Sequence, residues 1–269
     1  MAASASPSID NLERTWRSLV DLCADLSEDE WKRPTGCPGW SVQDHVSHLI
    51  DYESRALGRP GPDGEARPYP HTKNALGEGN EIGVEHRRGR SGGEVLAELR
   101  DVTAARSAQL GALTADDLAA ETVTPVGPAV VADMLRLRVM DTWSHEQDIR
   151  RAVGRPGHES GPAVEESVTY LAQFLPAVVG KRAGLPDGAV VAFEIGDVHR
   201  GAIEMVDGRA RPVDAGAAAD VAAPTVRLTM PASTFGALVG GRSDAPDDVV
   251  VDGDTELGRR IVGVLAFLP

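Results

Sequence analysis

Cysteine is nearly missing from this chain: Cys23 and Cys37 are the only two among 269 residues. Two are too few for a disulfide framework, so a reduced, cytoplasmic protein is expected. Basic charge is also in deficit. The 27 Lys and Arg against 41 Asp and Glu leave a net charge of −14. That field repels phosphate backbones and anionic lipid, so neither nucleic acid nor membrane is an expected partner. A small anionic substrate is not excluded, because a local arginine can hold it. No apolar run approaches the roughly 18 residues of a membrane span. The opening MAASASPSIDNLERTW has no basic n-region and no apolar h-region, so no signal peptide is expected. Aromatic residues are few at 4%, while the hydrophobic 42% and charged 25% are ordinary for a globular protein.

Periodicity organises what remains. Ile9, Leu12, Trp16, Leu19, Cys23 and Leu26 recur at helical spacing and predict a first amphipathic helix. After the turn PTGCPGW, Ser41 and Asp44 read as a capping box that opens a second. Residues 59–72, RPGPDGEARPYPHT, form a loop, a candidate lid over a site. A third helix is expected in the later part of 74–113, broken by GRSGG at 89–93, and a fourth over 130–154 after the TPVGP turn. Four such helices predict a bundle. Beyond a linker at 155–162 the texture changes to one helix (about 163–180), short β-like segments (189–195, 201–206, 225–230, 249–251), a helical 233–241 and a closing helix 255–267. The tract 214–224 reads as a surface loop. The fold class is therefore α+β, an N-terminal four-helix bundle (1–157) followed by a small α+β C-terminal domain (163–269).

The fourth helix carries the strongest chemical signal. At 100° per residue Val130, Met134, Leu137 and Ala152 share one arc, and Asp141, His145 and Asp148 fall inside it. Buried ionisable groups are usually paired or bound to a metal. Asp141 and His145 are spaced i, i+4, so both can reach one ion. A third ligand should come from the second helix, which offers His45 and His48; helical angle alone leaves both open. The competing reading is a buried Asp–His pair that holds helices in register with Arg138. Asp148 reads as a partner of a ligand imidazole or as a salt bridge. His71, His86, His158 and His199 read as surface residues, Cys37, near a helix N-terminus, as a packed turn residue with a catalytic thiol as the alternative, and Arg87, Arg88 and Arg90 as a solvated face or as a steering patch for carboxylates.

The strings CPGWSVQDHVSHL, NEIGVEHRRGRSGGEVLAELR and MDTWSHEQDIRRAVG resemble the mycothiol-dependent maleylpyruvate isomerase family, whose members are DinB-like metal-binding bundles. TVRLTMPASTFGALVGGR and DGDTELGRRIV are similar to that family's sterol-carrier-like C-terminal domain. The resemblance implies a metal, zinc or another divalent ion, on His48, Asp141 and His145, with Arg88 and Arg242 as anchors for substrate or thiol. His45 then stands where the family often has an apolar residue. The helix-four acid expected in the isomerase itself is Glu, and here it is Asp, one methylene shorter.

The implied chemistry is thiol activation: mycothiol as cofactor adds to a cis-unsaturated diacid, the bond rotates, and elimination gives the trans isomer. An S-transferase would keep the thiol on its product. A metal-dependent hydrolase, with Asp148 or Glu146 as base, and a non-catalytic metal- or apolar-ligand-binding protein are the alternatives. On the enzyme readings Asp141→Ala or His145→Ala removes the metal and leaves the fold largely intact.

Overall fold

Side-chain caps set the helix starts in the first half of the chain. The computed structural model describes residues 5–213, 224–243 and 247–268. Ser6, followed by Pro7, opens α1 (Pro7–Ala24), and Ser27 opens the single turn α2 (Glu28–Trp31). Ser41 and Asp44 close the expected capping box at the start of α3 (Val42–Ala56). Asn74 caps α4 (Ala75–Arg88), and a second box, Ser91 with Glu94, restarts the chain as α5 (Gly92–Leu110). Each box satisfies two N–H groups that the first turn would leave without acceptors. The expected break at GRSGG thus separates two helices within 74–113. After α6 (Ala115–Ala119) comes a hairpin, β1 (Glu121–Thr124) with β2 (Gly127–Val130), around the expected turn. Its strands are too short for an alternation to show in the sequence. It leads into α7 (Val131–Val153), which stops at Gly154 with φ +66°.

Helices α1, α3, α5 and α7 form the bundle: α1 packs on α7 and α5, and α3 packs on the same two. Leu19, Val46, Leu49, Val95, Leu99 and Ile149 meet in its core. Helix α4 lies on α3 as a fifth member, brought close by Gly83, where a Cβ would stand 2.3 Å from Asp51 Cγ. The one-sided stripe read on α7 needs correction. Leu135, Val139, Trp143 and Ile149 are buried on it together with Arg138, Glu146 and Gln147, because other elements of the unit cover it on several sides.

Neither cysteine is in a disulfide. Burial, with Glu146 adding to it, pushes the Cys23 thiol up to about 12, whereas Cys37 is half-buried in its turn. A chromogenic disulfide reagent at mildly alkaline pH should therefore titrate one thiol in the folded protein and two in denaturant. Two fast thiols in the folded protein would contradict the placement of Cys23.

The chain divides into two units between Gly157 and His158. The second begins with α8 (Pro162–Ala172) and α9 (Leu175–Arg182), two helices where the sequence predicts one. Strands β3 (Val190–Ile195), β4 (His199–Val206), β5 (Arg209–Pro212) and β6 (Val226–Met230) follow, then α10 (Ala232–Val239), β7 (Val250–Gly253) and α11 (Thr255–Gly263). The sheet order is β5-β4-β3-β6-β7, with β3 and β6 parallel and the other pairs antiparallel. Val226, Leu228 and Met230 alternate inward on β6, and Gly258 lets α11 lie on the sheet, since a Cβ there would stand 2.2 Å from Val251. Strand β5, with the sequence RARP, carries no strand signal and was not expected. The closing helix ends at Gly263, short of the expected 267. Residues 214–223 of the tract read as a loop lie outside the described residues. The whole is an α+β fold. No helix among the described residues is long and apolar enough to cross a membrane.

Candidate metal centre

Helices α3 and α7 cross so that His48 from one meets Asp141 and His145 from the other. One ligand atom of each lies within 4.8 Å of the others. His48 Nε2 is 3.6 Å from Asp141 Oδ2, and His145 Nε2 is 3.6 Å from Asp141 Oδ1. Tetrahedral bonds of about 2.1 Å set ligand atoms roughly 3.4 Å apart, so these separations fit an ion better than they fit direct hydrogen bonds. His48 is buried; its Nε2 faces Asp141, and among the described residues its other ring nitrogen, Nδ1, has no hydrogen-bond partner.

The charges suit a cation. Burial pushes the His48 imidazole below its ordinary value, Asp141 pulling the other way, so the ring is neutral near pH 7 and offers a lone pair. Burial alone would raise the Asp141 carboxyl, but the Arg138 guanidinium and then His145 hold it well below the usual carboxylate range. Arg138 Nη1 donates to Asp141 Oδ2 at 2.6 Å, and its Nε donates to Glu53 at 3.0 Å. Its guanidinium carbon lies 3.6 Å from the centre of the Tyr52 ring. The Asp141–Arg138 pairing of the competing reading therefore exists, alongside the three-ligand set rather than instead of it.

His45 is fully buried. Its Nδ1 faces His145 Nδ1 at 2.8 Å, hydrogen-bond distance. His45, His145 and Asp148 form a second group of nearby ligand atoms, but two nitrogens this close are joined by a proton rather than by an ion. The Trp40 ring packs against all three histidines, stacked on His145 and edge-on to His45, with centroids 5.3, 5.4 and 5.7 Å from those of His45, His48 and His145. Its Nε1 donates to Glu81 at 2.6 Å. The same Glu81 oxygen meets His71 Nε2 at 2.8 Å, so the loop between α3 and α4 is tied to the residue that roofs the histidines.

Several sequence expectations change here. His71 is a partner of a buried carboxylate, and His158 and His199 are half-buried; of the four histidines read as surface residues only His86 is exposed. The Arg87, Arg88 and Arg90 cluster is not a solvated face. Arg87 is buried on Glu98, Arg90 also meets Glu98, and Arg88 donates to Asp44, Glu81 and Glu85. Arg242 lies in the second unit, where its Nη1 donates to the Gly240 carbonyl at 2.6 Å. Glu146, a base in the hydrolase reading, is engaged by Ser18 at 2.6 Å and Arg150 at 2.7 Å. Trp40, Glu81, Glu53 and Thr35 were not picked out from the sequence. Trp40, next to the Ser41 cap, offered the one local hint, because a bulky residue just before a cap packs back on the helix it starts.

The model of the mycothiol maleylpyruvate isomerase N-terminal domain matches residues 12–150. No curated protein matches the chain. The crystal structure of the mycothiol-dependent maleylpyruvate isomerase is similar with a TM-score of 0.55, at 14% identity over 91% of each chain. That of an alanine mutant of one of its histidines gives 0.57, at 13% identity over 91% of each. At such identity these likenesses speak for the fold. The match to the domain model spans more than half of the sequence, and with it the chain belongs to the mycothiol maleylpyruvate isomerase N-terminal domain family.

Proposed function

We propose that this protein is a metal-dependent enzyme, with zinc the expected ion, that activates a low-molecular-weight thiol, mycothiol, for addition to an electrophile. The reaction is a cis–trans isomerisation of the maleylpyruvate type or an S-transfer. The observation that carries the reading is the convergence of His48, Asp141 and His145 from two helices on one point. A divalent ion held there would lower the pKa of a thiol that joins it, keeping the sulfur nucleophilic at neutral pH. The chain's own residues do the rest. Arg138 keeps Asp141 ionised, burial keeps His48 neutral, and the Trp40 ring covers one side of the histidines and shields them from bulk water. Arg88 is the proposed anchor for a substrate carboxylate. Arg88 already serves three carboxylates, so it would hold the site's roof as well. The thiol reading stands above hydrolysis because both candidate bases are engaged, Glu146 by Ser18 and Arg150 and Asp148 by Arg151 at 3.2 Å.

The test is elemental analysis of the purified protein with calorimetric titration of mycothiol. One zinc per chain, and thiol binding that disappears when the zinc is removed, is the expected result. Protein without metal, or with metal but no affinity for the thiol, would overturn it.

A further inference from the structure

His145 has two ring nitrogens and can serve an ion through Nε2 only if its proton sits on Nδ1. That Nδ1 faces another imidazole nitrogen, His45 Nδ1, at 2.8 Å. Between two neutral rings one nitrogen must donate and the other accept, which leaves two arrangements.

In the first, His145 Nδ1–H donates to His45, so the proton of His45 is on Nε2. Thr35 Oγ1 stands 2.8 Å from that nitrogen and accepts it. The Thr35 hydroxyl also accepts from the Cys37 N–H at 3.2 Å and directs its own proton to the Trp40 carbonyl at 3.0 Å. A carbonyl can only accept, so the chain ends there, with two acceptor sites and one donor of the hydroxyl all used. In the second, every bond reverses. The Thr35 proton turns away from the Trp40 carbonyl to His45, and His145 carries its proton on Nε2. That N–H would point at Asp141 Oδ1, 3.6 Å away and beyond hydrogen-bond length. Only the first arrangement makes every bond at normal length.

We propose that His45, set by Thr35, is the positioning residue that fixes His145 with its Nε2 bare and facing Asp141. The hydrogen-bond direction stands on the distances alone; its value to an ion rests on the metal reading above. Asp148 is the competing partner, since a carboxylate oxygen of it lies within 4.8 Å of one ring nitrogen of each histidine.

Two measurements test this. Long-range proton–nitrogen NMR on the metal-free, isotope-labelled wild type reads the tautomers directly. His145 is expected as Nδ1–H and His45 as Nε2–H; His145 found as Nε2–H would overturn the proposal. Competitive titration with zinc alone then compares variants. His45→Phe should lose about 10–100-fold in affinity. His45→Asn should recover most of it, because its Oδ1 occupies the place of Nδ1 and still accepts. Wild-type affinity in His45→Phe, or a loss that appears in Asp148→Asn and not in His45→Phe, would overturn it. A wild-type chain that takes up no zinc would instead sink the metal reading, with the NMR still deciding the direction of the chain.

Discussion

Asp141→Ala should lose stoichiometric zinc and, in the metal-free state, unfold about 3 kcal/mol more easily than the wild type. The second half of that result departs from the sequence expectation that the fold would be left largely intact. Arg138 is 2% exposed, and its Nη2 has no partner among the described residues. Removing Asp141 takes the acceptor of Nη1 as well, leaving a buried guanidinium with one hydrogen bond, Nε to Glu53, beside the Tyr52 ring. His145→Ala should also lose the ion, but it strands no buried charge and should cost less stability. Urea unfolding of both metal-free variants, with elemental analysis of the proteins as purified, separates the two effects. Stoichiometric zinc in either variant would remove that residue from the ligand set. Equal unfolding free energies for the two would contradict the role given to Arg138.

Glu53→Leu should be more damaging to the fold than either. The Glu53 side chain is 1% exposed and accepts from Arg106 Nε at 2.9 Å and Arg138 Nε at 3.0 Å. Two helices, α5 and α7, each send a cation inward, and this carboxylate on α3 answers both. Without it, two largely buried positive charges share no anion between them, a change worth roughly 3–5 kcal/mol in a fold whose total is about 5–15. Chemical denaturation is the measurement. A midpoint within experimental error of the wild type would show that water reaches the pair. Adding Arg106→Leu to Glu53→Leu should recover part of the loss, since a buried ionic pair can give way to apolar residues of similar volume.

Helix positions were legible because they depend on local signals. Ser41 with Asp44 announces α3, and the leucine and valine spacing announces α1 and α5. Asp141 and His145 were legible for the same reason, being one turn apart on one helix. What joined them to α3 was not. His45 and His48 both lie within a turn of the crossing point, and which one meets Asp141 depends on how the two helices cross, which no single-helix periodicity contains. Helical angle leaves both open; the structure buries both and gives them different tasks, one beside Asp141 and one behind His145. The short pieces failed for a different reason. Strands β1, β2 and β5 have four residues each, too few for alternation to rise above chance. Glu81 and Arg87 gave no sign of burial, because their partners Trp40, His71 and Glu98 come from other segments.

Glu81 binds Trp40 on one side and His71 on the other, and this has a consequence for how the sequence can diverge. The stretch 59–68 is mostly exposed, so much of its length and composition can drift at little cost. From His71 to Glu81 the chain is under a different constraint. A residue gained or lost there would rotate α4 against α3, pull the carboxylate from the indole, and leave Trp40 without its anchor over the histidines. Relatives that keep the ligands should therefore vary freely in the first part of this loop and hold the spacing of the second, a pattern that follows from one shared oxygen atom.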